Sequence, residues 1–293
     1  MTLTMNREET GALPNPLGIA GIEFVEYATA RPQAFGQVLQ MLGFVPVARH
    51  RSREVTLYRQ GGMNVIVNAH GPAAAAGDAE VPEVPRIAAL AFRVRDAGAA
   101  YRRALEHGAW AVPVNVEPME LHIPAIHGVG ASRIYFVDRW QEFSIYDVDF
   151  VPIPTVDARP QPLAGLRWFG VVQYVGNERT EDWIEFYREL LGFEPIRPEQ
   201  AFGILPKGRV LASPCGSFYL QLVEPEPGIL DVEDDEQMVR VAFGTPDVLA
   251  AVSLLGARGI EFHESPQLRT DARGALTKPL LGGVLFELVQ VKE

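Results

Sequence analysis

Cysteine is almost absent. Cys215 is the only one in 293 residues, so no disulfide can form within the chain, and a reducing cytoplasmic home is expected. Cations are also scarce: 26 Lys and Arg face 37 Asp and Glu, a formal net charge of -11. That balance disfavours nucleic acid and anionic lipid as partners, because both bind through clustered Lys and Arg that displace counterions. No apolar run reaches the ~18 residues of a membrane span. Met1 to Pro16 lacks the basic start and apolar stretch of a secretory signal. What remains is an ordinary globular composition, 47% hydrophobic and 22% charged, with a small molecule or another protein as the expected partner.

What is present is a repetition. Leu42-Gly43-Phe44-Val45-Pro46-Val47 returns as Leu191-Gly192-Phe193-Glu194-Pro195-Ile196. Ala91-Phe92, with Asp96 and Gly108 behind it, returns as Ala242-Phe243 with Asp247 and Gly259. A module of half the chain, present twice, explains both matches. Pro152, Pro154, Pro160 and Pro162 crowd Val151 to Gly165, which resists helix and sheet and reads as a linker. The expected division is an N-terminal tail over 1–16, a first module over 17–150, the linker over 151–165 and a second module over 166–293.

Hydrophobic spacing fills each module in. In the first, a strand over Ile19 to Thr29 precedes an amphipathic helix over Arg31 to Met41, and strands Val55 to Arg59 and Met63 to Asn68 flank Gly61-Gly62. A second round follows: strand Ile87 to Val94, helix Ala97 to His107, then strands near Ala109 to Val112 and over Ser132 to Tyr146. The second module repeats the plan with strand Trp168 to Val175, helix Glu181 to Leu191, and strands Arg209 to Ala212 and Phe218 to Val223. Strand Val239 to Gly244, helix Val248 to Arg258 and strands near Ile260 to His263 and Val284 to Val291 complete it. Gly71 to Pro85 and Glu224 to Glu236 read as surface loops.

Paired βαβββ units, two modules per chain, resemble the vicinal oxygen chelate superfamily. The fold so implied is α+β, two tandem modules in which each sheet curls into a half-barrel around a cavity. The likeness narrows over Asn15-Pro16-Leu17-Gly18, Arg49-His50-Arg51-Ser52, Thr56-Leu57-Tyr58-Arg59-Gln60-Gly61 and Ala91-Phe92-Arg93-Val94. It continues over Met119-Glu120-Leu121, Pro124-Ala125-Ile126 and Ser144-Ile145-Tyr146-Asp147. These segments resemble the first domain of bacterial 4-hydroxyphenylpyruvate dioxygenases. The resemblance implies a structural first module, chemistry in the second, and Fe(II) held there by two His and one Glu, with open positions for a 2-keto acid and dioxygen. It also implies a homo-oligomer.

Carried onto this chain, those three ligand positions fall on Gly170, Arg240 and Glu287. Glycine has no donor and a guanidinium no lone pair, so one ligand of three survives. The expectation is an ion pair in which Arg240 replaces the metal cation beside Glu287. In the first module the corresponding positions are read as Glu23, Ala89 and Tyr146, which make no three-ligand site. Substrate-binding positions fall on Gly208, Val223 and Gly274. The chain stops at Glu293 where the resemblance implies a closing C-terminal helix, so an open cavity is expected.

Other residues are weighed individually. Gln173 is a candidate ligand only if a bulge turns it toward Gly170. His122 and His127, with Glu120, are a possible metal group of unfamiliar spacing. Trp168, Phe218, Tyr219 and Phe286 are read as cavity lining or plain core, His50 as a packing residue, and Cys215 as an unactivated thiol. Three functions stay open. The first is a metal-free protein that binds or converts a small aromatic or carboxylated ligand in the second module, with Arg240, Glu287, Gln173, Tyr219 and Phe286 around it. The second is an active iron dioxygenase with a rebuilt site, and the third is a structural or regulatory paralogue.

Overall fold

A computed structural model describes residues 15–69, 81–113, 121–197, 202–205, 208–224, 236–265 and 268–291. His70, Met119, Glu120, most of the N-terminal tail and most of the two expected surface loops lie outside the described residues. The first module runs β1 (Gly21–Ala28), α1 (Pro32–Met41), β2 (Val45–His50), β3 (Val55–Gln60), β4 (Met63–Asn68), β5 (Arg86–Arg93) and α2 (Ala97–Glu106). It ends with β6 (Ala125–His127), β7 (Arg133–Val137), α3 (Tyr146–Asp149) and β8 (Phe150–Pro152). The second runs β9 (Arg167–Tyr174), α4 (Thr180–Leu191), β10 (Glu194–Pro195), β11 (Arg209–Ala212), β12 (Tyr219–Val223), β13 (Gln237–Thr245), α5 (Val248–Gly256), β14 (Gly274–Leu276) and β15 (Leu285–Gln290).

The repeated residues turn out to be punctuation. Asp96 and Asp247 cap α2 and α5, accepting hydrogen bonds from the amides of Ala99 and Ala250 at 2.8 and 2.9 Å. Gly108 and Gly259, with φ of 89° and 96°, take the left-handed conformation that ends each helix. Gly192 caps α4 the same way, at φ 77°.

Strands are ordered β6-β7-β5-β1-β4-β3-β2-β8 in one sheet and β10-β11-β12-β9-β13-β15-β14 in the other. One face of each sheet meets the other module through aromatic side chains. Phe92 stacks on Phe218 at 5.6 Å between ring centres, Phe44 meets Phe243 at 5.9 Å, and Tyr27 meets Phe286 at 6.5 Å. All six are buried. At about 1.5 to 3 kcal/mol for each large apolar side chain removed from water, this shared core holds the modules together. The opposite face of each sheet carries its own smaller apolar cluster.

Several expectations are corrected. The strand expected over Ser132 to Tyr146 stops at Val137, and Tyr146 lies on the single turn of α3. Val45 to His50, read as no element, forms β2 through pairing with β3 and β8, a long-range gain invisible in local pattern. Ala109 to Val112 and Ile260 to His263 make only isolated bridges, Ala111 to Ile126 and Phe262 to Thr277. Val151 and Pro152, assigned to the linker, extend edge strand β8, where proline is tolerated. Farther along, Leu163 N donates to Gln60 Oε1 at 2.8 Å, so the segment is tied to the first module. No helix among the described residues is long and apolar enough to cross a membrane.

Candidate functional site

Strand register assembles the second half-barrel. Ala242 of β13 lies between Gly170 of β9 and Glu287 of β15, and Arg240 stands two residues along β13 on the same face. Arg240 Nε lies 3.3 Å from Glu287 Oε2, with the side chains 10% and 1% exposed. The hypothesised ion pair is therefore present. A side chain at Gly170 would run into the carbonyl oxygen of Tyr219 on neighbouring β12, so the position admits only glycine without a backbone shift.

The space beside Glu287 is filled. Phe169, Phe202 and Tyr219 form a three-ring cluster with centres 4.8 to 5.3 Å apart, leaving about 10 Å³ free, barely room for one water. Among the described residues, the space around Glu287 is not the open cavity expected there. A wider recess of about 760 Å³ lies farther along the sheet, with Tyr174, Gly208, Val223 and Arg240 among its walls and Glu178, Glu181 and Glu224 making it acidic.

Other candidates fall elsewhere. Gln173 points to the helix side, where its Oε1 accepts from Tyr187 Oη at 2.8 Å, so it does not join Arg240. Phe286 stacks on Phe243 at 5.7 Å in the shared core, as does Trp168, and Phe218 packs on Phe92. Of these aromatics only Tyr219 faces the half-barrel. Gly274 is buried on β14 against Gly203. His122 and His127 are both exposed, and no group of three metal-ligating side chains occurs among the described residues. His50 packs edge-on against Phe150 at 5.3 Å. Cys215 packs against the core and lies 3.4 and 3.0 Å from the hydroxyls of Ser213 and Ser217.

The first half-barrel is hollow where the second is full. A cavity of about 790 Å³, in the roughly 300 to 1,000 Å³ range of small-molecule sites, has Glu23, Arg59, Asn64, Arg93 and Tyr146 in its lining. Glu23 is 2% exposed and accepts from Arg93 Nε at 2.6 Å and from Asn64 Nδ2 at 3.1 Å, while Asn64 Oδ1 accepts from Arg59 Nε at 2.8 Å. Burial, and next the charge of the adjoining Glu23 carboxylate, hold the Tyr146 hydroxyl well above the ordinary phenol range, so it stays protonated.

Pairing also corrects the equivalence between modules. Ile22 and Phe24 face Phe92 and Ala91 with Glu23 bulged between them, just as Trp168 and Gly170 face Phe243 and Ala242 with Phe169 bulged. Phe24, not Glu23, therefore corresponds to Gly170. Ala89 keeps its correspondence to Arg240, but Tyr135, the β7 partner of Ala91, takes the place of Glu287. Tyr146 is off the sheet. The signal missed in the sequence was Glu23 itself, a carboxylate inside the apolar strand Gly-Ile-Glu-Phe-Val-Glu-Tyr-Ala.

Known proteins now place the chain. Residues 13–151 match the family model described as hydroxyphenylpyruvate dioxygenase, N-terminal, and residues 171–288 match that of the glyoxalase/bleomycin resistance protein/dioxygenase superfamily. Hemolysin VllY of Vibrio vulnificus is 36% identical over 88% of this chain and 75% of its own length. A 4-hydroxyphenylpyruvate dioxygenase of a Pseudomonas species is 35% identical over 86% and 73%. The chain belongs to the 4-hydroxyphenylpyruvate dioxygenase-like family. In structure it resembles a xylose isomerase-like TIM barrel/4-hydroxyphenylpyruvate dioxygenase fusion protein, with a TM-score of 0.72 and 26% identity over 96% of this chain, spanning half of that protein. The α+β vicinal oxygen chelate architecture is thereby established. The Fe(II) that the family resemblance implies needs three donors, whereas Gly170, Arg240 and Glu287 supply one carboxylate already facing a fixed cation. These residues do not fit the ion.

Proposed function

We propose that this chain is an iron-independent member of its family, which recognises a small organic molecule instead of activating dioxygen. The observation that carries the reading is the buried Arg240–Glu287 pair on the strands that resemblance assigns to the iron ligands. A guanidinium there compensates Glu287 permanently, and a divalent ion entering the same space would meet a like charge that cannot be titrated away. The packing of Phe169, Phe202 and Tyr219 supports it further, because a keto acid chelating a metal at Glu287 would find no volume. Among the described residues, the recess beside Tyr174 and Arg240 gives a small aromatic or carboxylated ligand the volume that the space at Glu287 lacks.

An oxygen electrode tests the reading. Protein incubated with Fe(II) and ascorbate, then given 4-hydroxyphenylpyruvate, is expected to consume no more oxygen than the same mixture without protein. Uptake that turns over repeatedly and disappears in Glu287→Ala would overturn it in favour of a working dioxygenase.

A further inference from the structure

The cavity of the first half-barrel is furnished beyond what folding requires. Its floor is a connected row, Arg59, Asn64, Glu23 and Arg93, in which Arg93 pairs with the one buried carboxylate and Arg59 donates to the Asn64 side chain. One positive charge is left over. At the rim, Arg51 and Arg159 are offset by Glu142 and Asp147, so the surplus belongs to the floor.

Both guanidinium groups are fixed in place. Arg59 Nη1 donates to the carbonyl of Ala158 at 2.8 Å and Arg93 Nη2 to the carbonyl of Gly62 at 3.1 Å. That leaves Arg59 Nη2 and Arg93 Nη1 without a hydrogen-bond acceptor among the described residues. Each plane also lies over an aromatic ring: Arg59 is 5.5 Å from the centre of Tyr146, and Arg93 is 5.4 Å from the centre of Trp140. Donors immobilised before a ligand arrives lose little entropy when it binds. The remaining walls include Leu57, Phe150 and Pro152, an apolar surface for the body of a ligand.

We infer that the first half-barrel binds a small organic anion, its acidic group held by Arg59 and Arg93 and its apolar or aromatic body lying against Trp140 and Phe150. The acidic group is a carboxylate or a phosphate, both matched by paired guanidinium donors. This site stands apart from the reading of the second module and holds whether or not iron binds there. A chain with net charge -11 repels anions at long range, so recognition rests on these two local cations and should weaken as salt rises.

Fluorine NMR of the full chain labelled with 5-fluorotryptophan locates the ligand, because the four tryptophans give separate resonances and Trp140→Phe identifies one of them. Titration with benzoate or phenyl phosphate should move the Trp140 signal to saturation, and whichever of the two saturates at lower concentration assigns the acidic group. Benzamide, neutral and of the same shape, should bind at least about tenfold more weakly, as should benzoate to Arg59→Gln, since each loses a charge-assisted hydrogen bond. Arg93→Gln strands buried Glu23 and perturbs folding as well as binding, so Arg59→Gln and Trp140→Ala, both at half-buried positions, carry the test. No movement of Trp140, movement of Trp168 or Trp183 in its place, or equal binding of benzamide would each overturn the inference.

Discussion

The two half-barrels share a bulge and put opposite chemistry on it. In the first, the bulged residue of the opening strand is Glu23, which organises Asn64 and two arginines around a space of about 790 Å³. In the second it is Phe169, which joins Phe202 and Tyr219 to leave about 10 Å³. Family resemblance points to the second module for chemistry, yet rings fill the space beside its Glu287 and its recess of about 760 Å³ lies farther along the sheet, while the module expected to be structural keeps a polar cavity around the bulged residue itself. One backbone device thus aims a side chain inward in both copies, and the identity of that side chain decides between hollow and filled.

The sharpest way to break the comparison is to remove each buried carboxylate in turn. Glu287→Ala strands Arg240 in a site only 10% exposed and is expected to cost about 4 kcal/mol. Glu23→Ala should cost well under half of that, because Arg93 is 23% exposed and water reaches it. Urea unfolding of both variants checks the ranking, and equal losses would remove the distinction between a sealed pair and an open one.

Next in size is the filling itself. Phe169→Ala deletes a buried ring and should cost about 3 kcal/mol while opening space beside Glu287. Trp140→Ala at the rim of the other cavity should cost under about 1 kcal/mol and act on ligand binding instead. Gly170→His restores a family-like side chain but collides with the Tyr219 carbonyl, a loss of about 2 kcal/mol by overpacking. Gly62→His, with open space around it, should stay within about 0.5 kcal/mol by the same denaturation assay.

The smallest effect concerns acid. Burial raises the Glu26 carboxyl above its ordinary value of 4.5, partly offset by the hydrogen bond from Asn68. The folded chain therefore holds this proton when the unfolded chain has released it. The resulting contribution to stability is complete below pH 4.5 and lost as pH rises through the folded value. Glu26→Gln should flatten that part of the stability–pH curve and leave the rest unchanged.

Much of this was legible in the sequence, for identifiable reasons. The repeat, the helices and the hairpins follow from local spacing and from Asp96, Asp247 and their partner glycines, which act within a single turn of chain. The pairing of Arg240 with Glu287 was legible only through the family resemblance, which assigns both positions to one site; the structure adds that parallel strands β13 and β15 carry them. Bulges were not. A bulge is set by pairing across the sheet, so the shift that makes Phe24 the counterpart of Gly170 and aims Glu23 into a cavity leaves no local trace. Gln173 and Phe286 were misplaced for a related reason: strand alternation says that neighbours face apart, but not which face meets the other module.

The replacement of an exchangeable metal by a fixed guanidinium is tested most directly by elemental analysis of protein purified from iron-replete cells, alongside Glu287→Ala. Both proteins are expected to carry the same trace of iron, far below stoichiometric. About one equivalent in the parent chain, lost in Glu287→Ala, would contradict the claim, since only a carboxylate acting as a metal ligand gives that difference.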